Sequence, residues 1–363
     1  MPQSVPSTPI IERRGRLGMA SLHRPSSRHA LTLGDVEVLE TAFRHWQNAP
    51  EVDAILIRAT ESGYCSGGDL QSLYEARLHG KSDYAVRFLD VCDRLNRLIV
   101  LGGKPVIAIL DGAAFGGGPG IALLPRLRVA TESFRLEFPA CGLGFVPDGG
   151  GVWTLSRQEA GIGTHLALTG ETIGPGEAAE LDLITDFVPS ARLPALIERL
   201  ESAEDASFAA LNRILAEFRT DAPAGSRNGR TDGLSAAFAH PTAARILSEL
   251  AQRKGDAAAE AAAERLARQC PAALAATVEA LRRAETLDVA ACLDLERNLA
   301  RHFLDRTDFY EGIRARLMDR SHPPVWLPGD IECINREMIE AGFAPRPSGS
   351  PANEESGHVG NPV

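Results

Sequence analysis

Asp111-Gly112-Ala113-Ala114-Phe115-Gly116-Gly117-Gly118-Pro119-Gly120 joins a short apolar run, residues 105–110, to the apolar stretch Ile121-Ala122-Leu123-Leu124. The first run reads as a buried strand and the second as the start of a buried helix. A glycine-packed turn between strand and helix presents free backbone N–H groups and the positive end of a helix dipole. Three consecutive glycines let another molecule approach that backbone with no Cβ in the way. A plain flexible turn has the same composition, so the stretch gains meaning only from two others like it. Cys65-Ser66-Gly67-Gly68-Asp69-Leu70 also follows a strand-like run and leads towards helical sequence. The third, residues 138–151, is Gly/Pro-rich and carries a carboxylate, Asp148.

The 363-residue chain is long enough for one large or two smaller domains. No apolar run approaches the ~20 residues that span a bilayer, so no membrane partner is expected. A net charge of −10 argues against nucleic acid, and it means that an anionic ligand needs a local basic patch. The six cysteines have no C-x-x-C spacing, and the first ten residues lack the layout of a secretory signal. Both point to a reducing compartment: the cytoplasm, or the mitochondrial matrix in a eukaryotic cell.

Along the chain, residues 1–9 and 346–363 read as disordered tails. Residues 17–22, 54–59, 106–110 and 127–131 read as strands, with another near Ile184. Thr32 is the expected N-cap of an amphipathic helix, and residues 85–101 form a second. The polar stretch before Asp83 reads as a mobile loop. The predicted fold is α/β, with a core over residues 10–200 and an α-helical C-terminal region over residues 201–345.

Two strand–glycine–helix turns can aim two N–H donors at one oxygen, which is an oxyanion hole. Asp148 is the best candidate to move a proton or orient water, although an Asx-turn or helix N-cap is the blander reading of that residue. Glu137 and Asp111 are the runners-up. No Gly-x-Ser-x-Gly elbow, Walker A lysine or metal-spaced histidine pair is present. His165 reads as packed or surface, and Cys65 and Cys141 as buried neutral thiols.

Together, the motif Cys65 to Leu70, Asp111-Gly112 with Gly116-Gly117-Gly118, and residues 142–150 resemble the crotonase (enoyl-CoA hydratase/isomerase) superfamily. The C-terminal cluster at residues 308–314, followed by Pro324-Val325-Trp326, resembles its 3-hydroxyisobutyryl-CoA hydrolase branch. The resemblance implies a spiral of ββα turns and hydrolysis of a short-chain acyl-CoA thioester, with a place in valine catabolism. It implies no cofactor beyond the coenzyme A of the substrate. It makes Gly68 and Gly117 the oxyanion donors and Asp148 the group that handles water. Ser66, Gly67, Asp69, Gly116 and Ala140 would line the substrate, and Arg24 and Arg28 would lie near the CoA phosphates. Relatives commonly form trimers, so a homo-oligomer is an open expectation. Two departures matter. Hydratases of the family carry glutamate where this chain has Gly120, and hydratases and hydrolases both carry a second where it has Ala140. Two alternatives therefore stand beside hydrolysis. One is an isomerase or hydratase-type enzyme using Asp148 alone. The other is an acyl-CoA-binding homologue with weak turnover.

Overall fold

Five consecutive buried residues, Val106–Leu110, form a strand that is covered on both faces. Such runs belong to parallel sheets with a layer on each side. The computed structural model describes residues 8–345 except 62, 117, 160 and 226–232; the tails expected at 1–7 and 346–363 lie outside the described residues. The strands are β1 (Ile10–Arg14), β2 (Leu17–Leu22), β3 (Ala54–Ala59), β4 (Val106–Leu110), β5 (Ala113–Phe115), β6 (Leu127–Ala130), β7 (Arg135–Glu137) and β8 (Asp186–Phe187). One six-stranded sheet has the order β1-β2-β3-β4-β6-β8, parallel throughout except for β1 on β2. A second sheet pairs β5 with β7 in parallel.

The helices are α1 (Leu33–Asn48), α2 (Leu70–Leu78), α3 (Ser82–Val100), α4 (Gly118–Leu123), α5 (Gly151–Leu155), α6 (Ile162–Thr169), α7 (Pro175–Glu180), α8 (Leu193–Glu201) and α9 (Phe208–Phe218). There follow α10 (Ser235–Phe238), α11 (Ala243–Gln252), α12 (Ala257–Ala267), α13 (Pro271–Ala284), α14 (Val289–Asp305), α15 (Thr307–Ile313) and α16 (Arg336–Phe343). None is long and apolar enough to cross a membrane among the described residues. Strand alternation splits the interior in two. Leu17, Met19, Leu56, Ile107, Ile109 and Val129 face α8 and α9 on one side. Ala20, Leu22, Ile55, Ile57, Ala108 and Leu110 join the larger core on the other. Each buried Leu or Ile is worth about 1.5–3 kcal/mol, so these two layers fix the register of the sheet.

The path is a ββα spiral. β4 leads into β5 and β6 into β7, so successive turns add one strand to each sheet. The small sheet extends at both ends through isolated bridges, Cys65 to Ala114 and Ile173 to Leu136.

Thr32 caps α1 in a capping box with Asp35, as its sequence suggests. One local reading is corrected. Residues 70–78 are a helix rather than a loop: Asp69 accepts the Ser72 N–H at its start, and Leu73 and Ala76 are buried. The closing strand falls at Asp186–Phe187, just past Ile184. The C-terminal helices wrap back over the spiral. α14 lies along α3, tied by Arg301 to Asp90, Arg97 to Asp294 (2.9 Å) and Arg297 to Asp93 (3.6 Å). A Cβ on Gly312 of α15 would stand 2.3 Å from the Leu143 carbonyl oxygen, so only glycine lets α15 press on the third turn.

Candidate active site

The small sheet brings the glycine turns together. Phe115 N–H donates to the Cys65 carbonyl (2.8 Å), and Cys65 N–H donates to that of Ala113 (2.9 Å). The turns that leave these neighbouring segments must therefore lie side by side. A Cβ placed on Gly116 would sit 3.6 Å from the Ser66 carbonyl oxygen and 3.7 Å from the Gly67 Cα. Gly67 (φ +94°) and Gly116 (φ +58°) both use the left-handed region. The buried Tyr64 hydroxyl donates to the Ile121 carbonyl (2.7 Å) and locks the first turn to α4. Among the described residues, no hydrogen bond takes up the Gly68 N–H. Gly117 lies outside the described residues.

Helix α3 runs as a rail past all three turns. The Phe88 ring lies 3.0 Å from where a Gly68 Cβ would be. One helical turn further on, Cys92 feels the charge of Asp148. Asn96, a turn beyond, packs against Gly120. At 1.5 Å per residue, Phe88 and Cys92 are about 6 Å apart along the axis, so Gly68 and Asp148 abut the rail one turn apart. Asp148 is half-buried, and desolvation pushes its carboxyl from the ordinary 3.8 to about 6. It does not cap α5: that position is Gly150, and the N–H groups there are met from elsewhere. Glu296 on α14 reaches across, one oxygen accepting from Gly150 N–H (2.5 Å) and the other from Trp153 N–H (2.9 Å). Burial raises its carboxyl to about 8 despite these two donors, and the nearby Asp148 charge adds to the rise.

The profile of the enoyl-CoA hydratase/isomerase family matches residues 17–343. The chain belongs to this family. It is 29% identical to the 3-hydroxyisobutyryl-CoA hydrolase, mitochondrial, of Rattus norvegicus, across 92% of this chain and 88% of the relative. It is also 29% identical to small ribosomal subunit protein mS47 of Arabidopsis thaliana, across 93% and 84%. Among solved structures it is similar to an enoyl-CoA hydratase of Rhodobacter sphaeroides 2.4.1, at 32% identity and a TM-score of 0.83, covering 93% of this chain and 97% of that one. A carnitinyl-CoA dehydratase of Mycobacterium thermoresistibile gives a TM-score of 0.84 at 29% identity, covering 96% and 99%.

Set in the family fold, the remaining candidates separate. Ser66 Oγ donates to the Ser27 carbonyl (3.1 Å), and Ser66 N–H donates to that of Arg28 (3.1 Å), binding the basic loop to the first turn. The Arg24 guanidinium is taken up internally, by Asp69 (2.9 Å), the Ala30 carbonyl (2.7 Å) and Asp35 (3.6 Å). Arg28 is exposed and is the loop's outward cation. Ala140 is buried at the head of a 3-10 turn over Ala140–Leu143. Glu137 accepts from Thr172 (3.3 Å) and lies 3.8 Å from Arg316, so its carboxylate is engaged away from Ala140. Asp111 accepts from Thr131 (2.7 Å) and Ser133 (2.6 Å) and braces the turn after β4. His165 pairs with Glu171 (2.9 Å) inside the helical layer. Burial raises the Cys65 and Cys141 thiols to about 12, which leaves them neutral.

Gly120 has a physical reason. A Cβ there would stand 2.5 Å from the Gly149 carbonyl oxygen and 2.8 Å from Asn96 Oδ1. The space a glutamate would need is filled by the turn that carries Asp148. Sequence reading missed Glu296 altogether. The available signal was an acid on the apolar stripe of α14, four residues after buried Cys292 and three before buried Leu299.

Proposed function

We propose that this protein hydrolyses the thioester of a short-chain acyl-CoA, in the manner of a 3-hydroxyisobutyryl-CoA hydrolase. The thioester carbonyl oxygen accepts the Gly68 N–H and, on the sequence reading, the Gly117 N–H. Asp148, as carboxylate, holds a water and takes its proton as the oxygen attacks the carbonyl carbon. The C–S bond then breaks, and the proton passes to the CoA thiolate. Each oxyanion donor is worth about 3–4 kcal/mol of barrier. Arg28, outward on the loop beside the first turn, is the cation available for a CoA phosphate.

One observation carries the reading. An unpaired N–H and a carboxyl with a raised pKa meet the same face of α3, while Gly120 and Ala140 supply neither family glutamate. The missing glutamates weigh against enoyl-CoA hydration, because no second acid–base group flanks the double bond. Ala140 also favours a second reading, an acyl-CoA-binding protein of little turnover. Six cysteines, all free, fit a reducing compartment. The test is thiol release from a panel of acyl-CoAs, with product masses to detect isomerisation. Free CoA plus the carboxylic acid supports hydrolysis. Binding with no thiol from any member would sink it in favour of the second reading.

A further inference from the structure

Glu296 is 1% exposed, yet among the described residues no cation meets its carboxyl. Its neighbours Arg297 and Arg301 turn to Asp93 and Asp90 on α3. A bare buried carboxyl is expensive, but position 150 admits no capping side chain: its backbone is left-handed (φ +90°) and a Cβ would stand 2.6 Å from Leu124. Glu296 instead reaches over 146 residues of sequence to hold Gly150 and Trp153, immediately after Asp148. Asp148 and Glu296 also line one cavity of about 30 Å³ between α3, the third turn and α14. That is room enough for a water molecule.

We propose that Glu296 is a positioning residue that fixes the aim of Asp148. This rests on the hydrolase reading of Asp148. Arg297 also lines this cavity, and its ion pair goes to Asp93. Asp93 is compensated by Arg97 and Arg297, and burial keeps the Cys92 and Cys292 thiols protonated. From α5 only the Trp153 N–H reaches Glu296, and Arg157 just beyond that helix stacks on the Trp153 ring. Asp148 and Glu296 therefore titrate against each other, and between about pH 6 and about pH 8 the pair holds one proton. The C-terminal region thus braces the turn that carries Asp148 in the spiral core.

The experiment follows carboxyl 13C shifts against pH in Asp/Glu-labelled full-length wild type, Glu296→Gln and Asp148→Asn. Glu296→Gln should leave the Asp148 midpoint near pH 6, because Glu296 is still protonated and neutral when Asp148 ionises. The acid limb of kcat/KM should stay near pH 6, while kcat falls more than KM changes because Asp148 loses its aim. Asp148→Asn should lower the Glu296 midpoint, because the Asp148 carboxylate is charged while Glu296 titrates. The second variant keeps side-chain shape and decides the matter alone if the first does not fold. A Glu296 midpoint unmoved by Asp148→Asn, or a kcat unchanged by Glu296→Gln, overturns the proposal. Absence of CoA release in wild type would sink the hydrolase reading instead, and the shifts would still test the coupling.

Discussion

Replacing Asp148 with asparagine keeps the side chain's shape and removes its charge, and it should move activity and stability in opposite directions. Burial holds the Asp148 proton from the ordinary 3.8 up to about 6. Between those values the native state binds more protons than the unfolded chain, so stability falls as pH rises through that window. Above it the ionised carboxylate costs the fold at most about 3 kcal/mol, at about 1.4 kcal/mol per pH unit. Asp148 is only half-buried, so solvent screening reduces this to about 1–2 kcal/mol. The amide bears none of that cost. Asp148→Asn should therefore melt about 1–4 °C higher than wild type at pH 7.5 and the same as wild type near pH 4, at about 1–2 °C per kcal/mol for a chain this long. Its CoA release should fall by about 10²–10⁴, the usual worth of a positioned base. Wild type should show an acid limb near pH 6, with about a tenth of its plateau rate at pH 5. The assays are scanning calorimetry at both pH values and thiol release across the pH range. A variant that melts lower than wild type at pH 7.5, or retains activity within about threefold, refutes the assignment of a buried, charge-strained base.

Gly120→Glu should give no hydratase and should lower the denaturant midpoint, since overpacking against Gly149 and Asn96 costs about 1–3 kcal/mol or more. A stable variant that hydrates an enoyl-CoA would contradict the packing argument. Arg24→Ala should destabilise by about 2–3 kcal/mol, because it strips the charge shared by Asp69 and Asp35. Arg28→Ala should leave the melt within about 0.5 kcal/mol while raising KM for acyl-CoA several-fold; an unchanged KM removes Arg28 from the phosphate site. Ala140→Glu should raise thiol release by about tenfold or more if a second carboxyl completes the site. A fall or no change means that the space beside Ala140 serves another purpose.

The parts of the site that are local in sequence were legible as sequence. Strands such as Val106–Leu110 declare themselves by uninterrupted apolar residues, and Thr32 declares a helix start by the acid three residues later. The glycine turns and Asp148 stand out because few other residues tolerate such backbone. Helix α2 was hidden because its surface is mostly polar and only Leu73 and Ala76 anchor it; Asp69 was its one local signal. The arginines of the basic loop look alike in sequence. Only folding shows that Arg24 turns inward to two acids and Arg28 outward.

The amino-acid sequence by itself thus determined which backbone segments can form donor-rich turns, which carboxylate accompanies them, and which two family glutamates are missing. The first two follow from φ preferences, periodicity and residue chemistry, all properties of short stretches; the missing glutamates follow from the family resemblance. Only the tertiary structure decided that the turns stand side by side, because their adjacency comes from strand pairing across about 50 residues. It alone excludes a glutamate at position 120, where Gly149 and Asn96 take the room. It alone brings Glu296 to Asp148, since a buried charge gains its meaning from whatever the fold packs around it.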